Sequence, residues 1–155
     1  MNQKRFHIYC DGGFGNRFNI LVAGLAIADA GSFEPVVIWP ENNWCRAALD
    51  DLFDITLETL DENLVYFSDK LDQFCCVMHE DQLNFKIPFV HPNSFDSLNS
   101  LISYFETSDS NSLFYYNNLI PSYIDTDALI ESVNRLAFKK DIMKMAENLF
   151  QEQAV

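Results

Sequence analysis

A turn rich in glycine is the part of this sequence whose residue types and spacing best fit binding chemistry. All five glycines of the 155-residue chain lie between residues 12 and 31, and three of them fall in the stretch DGGFGNR, residues 11–17. Glycine is needed where the backbone turns at positive φ or where another molecule approaches the main chain closely. The stretch therefore predicts a turn with Gly13 or Gly15 at positive φ.

The elements around this turn indicate what it would bind. An apolar run over residues 5–10 precedes it, and apolar residues recur at helical spacing from Arg17 to Ala30, up to Gly31. Backbone N–H groups at the start of a helix, together with the helix dipole, favour an anion such as phosphate. The stretch spells neither G-x-G-x-x-G nor a P-loop. Spacing alone leaves a structural turn and an anion site equally open.

Other side chains near the turn have both a chemical and a plainer interpretation. Asp11 is a candidate general base for an acceptor hydroxyl, although capping the turn or the helix is the more frequent role. Trp44, in the loop WPENNWC, offers a ring that packs well on a sugar face, and a packing role within the protein is as frequent. Asp50, Asp51 and Asp54 offer ligands for a divalent cation but are more typical of a solvated helix face. We assign no metal site.

The elements that must position these residues indicate an α/β fold. Residues 5–10 and 35–39 predict strands, and with the intervening helix they form a βαβ unit whose strands are parallel. Further helices are predicted over residues 46–54, 95–105, 125–136 and 139–150, and further strands over 74–78 and 112–118. The class is α/β with a mainly parallel sheet, in which ligands bind at the carboxyl ends of the strands.

Composition and charge exclude several classes of partner. The net charge of −13 argues against a nucleic-acid backbone or an anionic membrane surface as partner. No apolar run approaches the ~20 residues of a membrane span, and the amino terminus lacks the apolar core of a secretory signal. Cys10, Cys45, Cys75 and Cys76 have no metal-ligand spacing, which favours free thiols in a reducing compartment. These features predict a cytoplasmic protein.

The stretch GGFGNRFNILVAGLAIA, followed by VVIWPENNWCRAALDDLFD, resembles the amino-terminal segment of fucosyltransferase-like glycosyltransferases of the GT-B type. This family includes alpha-1,2- and alpha-1,6-fucosyltransferases and nodulation fucosyltransferases. The residues that match its turn motif are Gly12, Gly13, Gly15, Asn16 and Arg17. Those that match its later segments are Trp39, Pro40, Asp51, Leu52 and Phe53. The resemblance covers residues 5–54, about a third of the chain.

The resemblance implies a Rossmann-like three-layer sandwich that forms the acceptor-side half of such an enzyme. It implies contacts to the phosphates or sugar of the donor by Gly13, Gly15, Asn16 and Arg17. The guanidinium of Arg17 would meet the pyrophosphate leaving group bidentately. The implied reaction is an inverting transfer from a nucleotide sugar resembling GDP-fucose to a glycan acceptor, without a metal or another cofactor.

One family motif is absent. Donor-binding domains of the family carry an H-x-R-x-x-D segment, and none of the three histidines of this chain has Arg two residues on. We therefore expect residues 1–155 to form one acceptor-side domain without the donor-binding half, inactive alone. It would work with a separate carboxyl-terminal domain or self-associate, around Met143 and Phe150. The alternatives are a stand-alone binding or assembly module and a flavodoxin-like nucleotide-binding protein.

Overall fold

The computed structural model describes residues 3–60, 89–90, 94–108, 112–115 and 119–145. Its strands are β1 (Arg5–Tyr9), β2 (Glu34–Ile38), β3 (Glu58–Leu60), β4 (Phe89–Val90) and β5 (Ser112–Tyr115). Its helices are α1 (Phe14–Ala30), α2 (Leu49–Leu52), α3 (Leu98–Thr107) and α4 (Thr126–Arg135), and residues 140–145 are also helical. The strand predicted over 74–78, which holds Cys75 and Cys76, lies outside the described residues, as does Phe150.

The five described strands form one sheet in the order β3-β2-β1-β5-β4. Each pairing between them is parallel. β1 lies at the centre, with β2 on one side and β5 on the other. The predicted α/β class with a mainly parallel sheet is confirmed, and so is the parallel pairing of the strands on either side of α1.

The central residues of β1 and the last three residues of β2 are buried on both faces of the sheet. Phe6 and Ile8 point to one face of β1 and lie in the main apolar core. His7 on β1 points to the opposite face, together with Val36 and Ile38 on β2, and all three are buried. Burial on both faces is what a layered α/β fold with a parallel sheet requires.

The helix α1 packs against β1 through a glycine. A Cβ atom placed on Gly24 would lie 2.7 Å from Cγ2 of Ile8, so the helix backbone rests directly on that side chain. Every residue from 20 to 28 is buried, so α1 is apolar on all sides rather than amphipathic. At 17 residues α1 is the longest helix of the described ranges, and none of those helices is long and apolar enough to cross a bilayer.

The helix α3 covers the same face of the sheet as α1. The ring of Phe105 on α3 contacts Phe6, two residues before Ile8, with 5.4 Å between centroids. Leu101 and Phe105 are buried, as the amphipathic pattern of this segment predicts. Lys4 closes the carboxyl end of α3 by donating from Nζ to the carbonyl oxygens of Phe105 (2.7 Å) and Ser108 (2.6 Å).

The helix α4 packs against α1. Arg135 near the end of α4 forms an ion pair with Asp29 on α1. The carboxylate of Asp125 accepts a hydrogen bond of 2.7 Å from the backbone N–H of Asp127, so Asp125 is the N-cap of α4. Met143, around which self-association is expected, lies in the helical segment of residues 140–145 and is 48 % exposed.

Several element boundaries differ from the sequence prediction, and α2 is shorter than the helix predicted over residues 46–54. The helix α1 begins at Phe14 instead of Arg17, because Phe14 packs on Phe18 one turn later, with 5.9 Å between ring centroids. The strand β2 covers residues 34–38, one residue earlier than predicted. Gly31 ends α1 as predicted, and the left-handed conformation that often follows a helix falls on Ser32, at φ 53°.

We expect Gly24→Ala to lower the free energy of unfolding by about 1–3 kcal/mol, the usual cost of overpacking a core. The added methyl group would collide with Ile8. Gly15→Ala is the matched control in the same helix, since no atom lies within 4 Å of the position its Cβ would take. That substitution should raise stability by about 0.5–1 kcal/mol through helix propensity. Denaturant unfolding measures both values, and effects of the same sign would contradict the packing described here.

Candidate functional site

The predicted site lies where β1 and β2 end side by side at one edge of the sheet. The backbone N–H of Cys10 donates to the carbonyl oxygen of Ile38 at 2.8 Å, so the strands remain paired up to this point. Residues 11–13 then turn into α1, and residues 39–45 lead away from β2. Ligands of open parallel sheets bind at this carboxyl-terminal edge.

The glycine turn is built differently from the prediction. Gly12 has the positive φ, at 89°, so the assignment of positive φ to Gly13 or Gly15 is wrong. Gly13 is the extended N-cap of α1 (φ −70°, ψ 165°) and Gly15 lies in the first helical turn. Because the helix begins at Phe14, the backbone must change direction before Gly13, and Gly12 makes that turn.

The space above the turn is open at two of the predicted ligand-binding residues. Among the described residues, no atom other than those of the chain neighbours and of the helix backbone lies within 4 Å of the positions that Cβ atoms would take on Gly13 and Gly15. Asn16 is exposed, and its side chain lies over Gly12, where an added Cβ would be 3.1 Å from Nδ2 of Asn16. Backbone N–H groups at this helix start are therefore accessible to a ligand.

Arg17 is fully buried and joins the two loops of the site. Its Nε donates to the carbonyl oxygen of Gly12 at 2.6 Å, and its Nη2 donates to Oδ1 of Asn42 at 2.8 Å. Its Nη1 donates to the carbonyl oxygen of Pro40. One guanidinium thus connects the turn after β1 with the loop after β2.

The charge of Arg17 is balanced within the protein. Oδ1 of Asp11 lies 4.0 Å from Nη2 of Arg17, and Cζ of Arg17 lies 5.3 Å from the ring centroid of Trp39. Trp39 is itself fixed, since its Nε1 donates to the carbonyl oxygen of Ala47 at 2.9 Å. Buried cations require such partners. The guanidinium expected to face a pyrophosphate is therefore directed into the protein, and direct contact would require exchange of these hydrogen bonds.

Trp44 projects from a tight turn over residues 42–45. Asn42 and Cys45 exchange two backbone hydrogen bonds, of 3.0 and 3.2 Å. Oδ1 of Asn42 also accepts from the backbone N–H of Trp44 at 3.0 Å, which makes the segment an Asx-turn. The side chain of Trp44 is 77 % exposed, so its ring does not pack into the core.

Asp11 contacts the loop after β2. Its Oδ1 accepts a hydrogen bond of 3.2 Å from Nδ2 of Asn42, and the N-cap position of α1 is taken by Gly13. Its side chain is 37 % exposed, so the carboxylate also faces solvent. The structure thus brings Asp11, Arg17 and the turn that carries Trp44 together, and it leaves Asn16 on the helix side of the glycine turn.

Asn42 belongs to this site although the sequence analysis did not single it out. An Asn at the start of a turn in the loop WPENNWC was the available signal. Because two Asn residues are adjacent there, the sequence could not indicate which one faces inward. The partners Asp11 and Arg17 lie 31 and 25 residues away along the chain, so no local pattern reveals them.

The acidic group on α2 has a structural role. The carboxylate of Asp51 accepts a hydrogen bond of 3.1 Å from the backbone N–H of Ala48 and so caps α2. Asp50 and Asp54 are exposed. Within the described ranges no three metal-ligating side chains lie together. Burial raises the pKa of the Cys10 thiol above its ordinary value, and the positive charge of Arg17 only partly offsets this.

A cluster of four phenylalanines supports the start of α1. It consists of Phe14, Phe18, Phe53 and Phe138. The shortest contact joins Phe53 to Phe138, with 4.7 Å between ring centroids. Phe14 is 41 % exposed and forms the outer edge of the cluster, beside the glycine turn. The cluster fixes the first turn of α1, and with it Arg17, against residues 53 and 138.

Comparison with solved structures finds the same fold in the fucosyltransferase NodZ from Bradyrhizobium. The TM-score is 0.57 at 14 % sequence identity, and the match covers 98 % of this chain and 56 % of NodZ. A NodZ alpha-1,6-fucosyltransferase structure co-crystallised with GDP matches equally well, and one soaked with GDP-fucose matches over 97 % of this chain. No protein-family model matches the chain, and no curated protein does.

This likeness confirms the fold expected from the glycine-turn motif. The chain has a fucosyltransferase-like fold, and it spans about half the length of the NodZ chain, 56 %. At 14 % identity the likeness concerns the architecture alone, so the chemistry of the site has to be argued from its own residues.

We expect Arg17→Met to lower the free energy of unfolding by about 3 kcal/mol or more. Three acceptor oxygens lose a hydrogen bond from Arg17, two of them backbone carbonyl oxygens, and a buried group left unsatisfied costs about 1–3 kcal/mol. Arg46→Met is the control, since Arg46 is exposed in the same region and its loss should change stability by about 0.5 kcal/mol at most. Urea unfolding followed by circular dichroism measures both, and a similar small effect of the two variants would show that Arg17 does not hold the loops.

Proposed function

We propose that this chain is a glycosyltransferase domain that forms the acceptor side of a cleft, for transfer of a sugar from a nucleotide donor to a glycan. The observation that carries the proposal is the likeness of 98 % of the chain to NodZ, whose structures were obtained with GDP and with GDP-fucose. The residues of the turn motif and of the W-P segment meet at one sheet edge, which supports it further.

Each residue of the site has a role in this proposal. Asp11 is the general base that takes a proton from the acceptor hydroxyl. The backbone at Gly13 and Gly15 and the side chain of Asn16 approach the phosphates or the sugar of the donor. Trp44 packs on a sugar ring of the acceptor. No metal or other cofactor takes part.

The role of Arg17 is the most demanding part of the proposal. Contact with the pyrophosphate requires the guanidinium to leave three acceptors in the protein. Residues 11–17 and 39–45 contain no other cation. Nearly the whole of this chain matches 56 % of NodZ. We propose that a second domain, which binds the nucleotide-sugar donor, supplies the remaining positive charge.

The alternative is a binding module that uses the same sheet edge without chemistry. It is favoured by the inward direction of Arg17 and by the net charge of −13, which opposes an anionic donor. A complete small nucleotide-binding protein is the other alternative, and it requires tight binding by this chain alone.

Titration of the isotope-labelled chain with GDP-fucose, followed by amide NMR shifts, tests the proposal. We expect shifts at Gly13, Gly15 and Asn16 with a dissociation constant of about 1 mM, because helix-terminus contacts each contribute only about 0.3–1 kcal/mol. Asn16→Ala should weaken binding about fivefold, the loss of one hydrogen bond. Asn19→Ala, one turn further along α1, should leave it unchanged.

A fucose-transfer assay on the same protein completes the test. We expect no transfer by this chain alone and measurable transfer when a donor-binding domain of the family is added. A dissociation constant near 1 μM for GDP-fucose corresponds to a binding free energy of about −8 kcal/mol. Binding of that strength, abolished by Arg17→Ala, would favour the complete nucleotide-binding protein. Absence of any shift at the turn, with no transfer under either condition, would favour the binding module.

A further inference from the structure

The side chain of Asn42 lies at the centre of the site and makes four hydrogen bonds. Its Oδ1 accepts from Nη2 of Arg17 at 2.8 Å and from the backbone N–H groups of Trp44 at 3.0 Å and Cys45 at 3.3 Å. Its Nδ2 donates to Oδ1 of Asp11 at 3.2 Å. The same amide therefore contacts the proposed base, the buried cation and the turn that carries the exposed Trp44.

The chemistry of these partners requires an amide at this position. Three N–H donors converge on Oδ1, so that atom must be an acceptor. The partner on the other side is the carboxylate of Asp11, which when ionised only accepts, so the facing atom must be a donor. Asp at position 42 would satisfy the three donors but would place a second carboxylate against Asp11.

Asn42 also joins the turn that carries Trp44 directly to the carboxylate of Asp11. On one side it closes the turn of residues 42–45, at which Trp44 is 77 % exposed. On the other side it holds the half-exposed carboxylate of Asp11. Its bond to Arg17 anchors this pair to the buried guanidinium, which in turn holds Gly12 and Pro40.

We infer that Asn42 is a positioning residue that fixes the carboxylate of Asp11 relative to the backbone turn from which the exposed ring of Trp44 projects, and that this carboxylate and this ring bind one neutral sugar ring. An aromatic face packs on the apolar face of a sugar, and a carboxylate accepts hydrogen bonds from its hydroxyl groups. The sugar assignment rests on the proposed function. The positioning role rests only on the four hydrogen bonds and holds whatever the ligand.

Two variants separate the two connections of Asn42. Asn42→Ala removes all four hydrogen bonds, so both Trp44 and Asp11 lose their fixed positions. Asn42→Asp keeps an acceptor for the turn and for Arg17 but loses the donor to Asp11, so it releases Asp11 alone. Asn43→Ala is the matched control, because Asn43 is exposed in the same turn and makes none of these contacts.

The experiment uses the full chain labelled with 5-fluorotryptophan, which gives one ¹⁹F NMR signal each for Trp39 and Trp44, the two tryptophans of the sequence. Trp44→Phe assigns the signals, since Trp44 is exposed and uses only its backbone N–H in the turn. The probes are the methyl glycosides of glucose, galactose, fucose and N-acetylglucosamine, added up to high millimolar concentration. Urea unfolding confirms that each variant is folded.

We expect at least one glycoside to shift the Trp44 signal of the unchanged protein. Asn42→Ala should narrow that signal through faster motion of the turn and weaken the glycoside tenfold or more. Asn42→Asp should leave the linewidth unchanged but still weaken the glycoside at least fivefold, an outcome that a merely structural role in the turn would not produce. Asn43→Ala should change neither quantity.

Different outcomes would overturn different parts of the inference. Equal linewidths in the unchanged protein, Asn42→Ala and Asn43→Ala would overturn the positioning role. A glycoside affinity that Asn42→Asp leaves intact would overturn the connection between Asn42 and Asp11. If no glycoside shifts Trp44 while Asn42→Ala still mobilises the ring, the sugar assignment is wrong and the positioning role stands. That last result leaves the donor-binding part of the proposed function to be decided by the GDP-fucose titration.

Discussion

The buried guanidinium of Arg17 determines how the loops of this sheet edge lie. Moving a cation from water into a protein costs several kcal/mol unless the protein replaces its hydration. Here the replacement comes from two carbonyl oxygens, the side chain of Asn42, the ring of Trp39 and a carboxylate at 4.0 Å. These groups belong to two loops that are far apart in sequence. The need to solvate one charge therefore fixes the loops relative to each other.

The position of Arg17 depends in turn on the packing of α1. The helix rests on Ile8 through Gly24, seven residues after Arg17, or about 10 Å along the helix axis. The phenylalanine cluster holds the amino-terminal end of the helix, at Phe14 and Phe18. With this end and the middle of the helix fixed, the guanidinium lies next to the carboxyl ends of β1 and β2. Core packing and site geometry are thus parts of one arrangement, since the same helix serves both.

Much of this fold could be predicted from the sequence, because its signals are local. The βαβ unit, the short α2, the apolar face of α3 and the cap at Asp125 all follow from periodicity and capping within a few residues. The site was harder to predict. Which glycine takes positive φ depends on where the helix begins, and that depends on the contact of Phe14 with Phe18. The inward direction of Arg17 depends on acceptors 23 and 25 residues away, which no local pattern encodes.

The charges at the sheet edge limit the kinds of ligand group that could bind there. The cation of residues 11–17 and 39–45 is Arg17, and it is buried and already paired. The groups that face solvent there include the carboxylates of Asp11 and Glu41, amides, backbone N–H groups and the ring of Trp44, on a chain of net charge −13. Such groups suit the hydroxyl groups and apolar faces of a neutral sugar and give little compensation for a pyrophosphate. A transferase built on this domain would have to neutralise its leaving group with cations outside these two loops. In the proposed function, the donor-binding side would supply those cations.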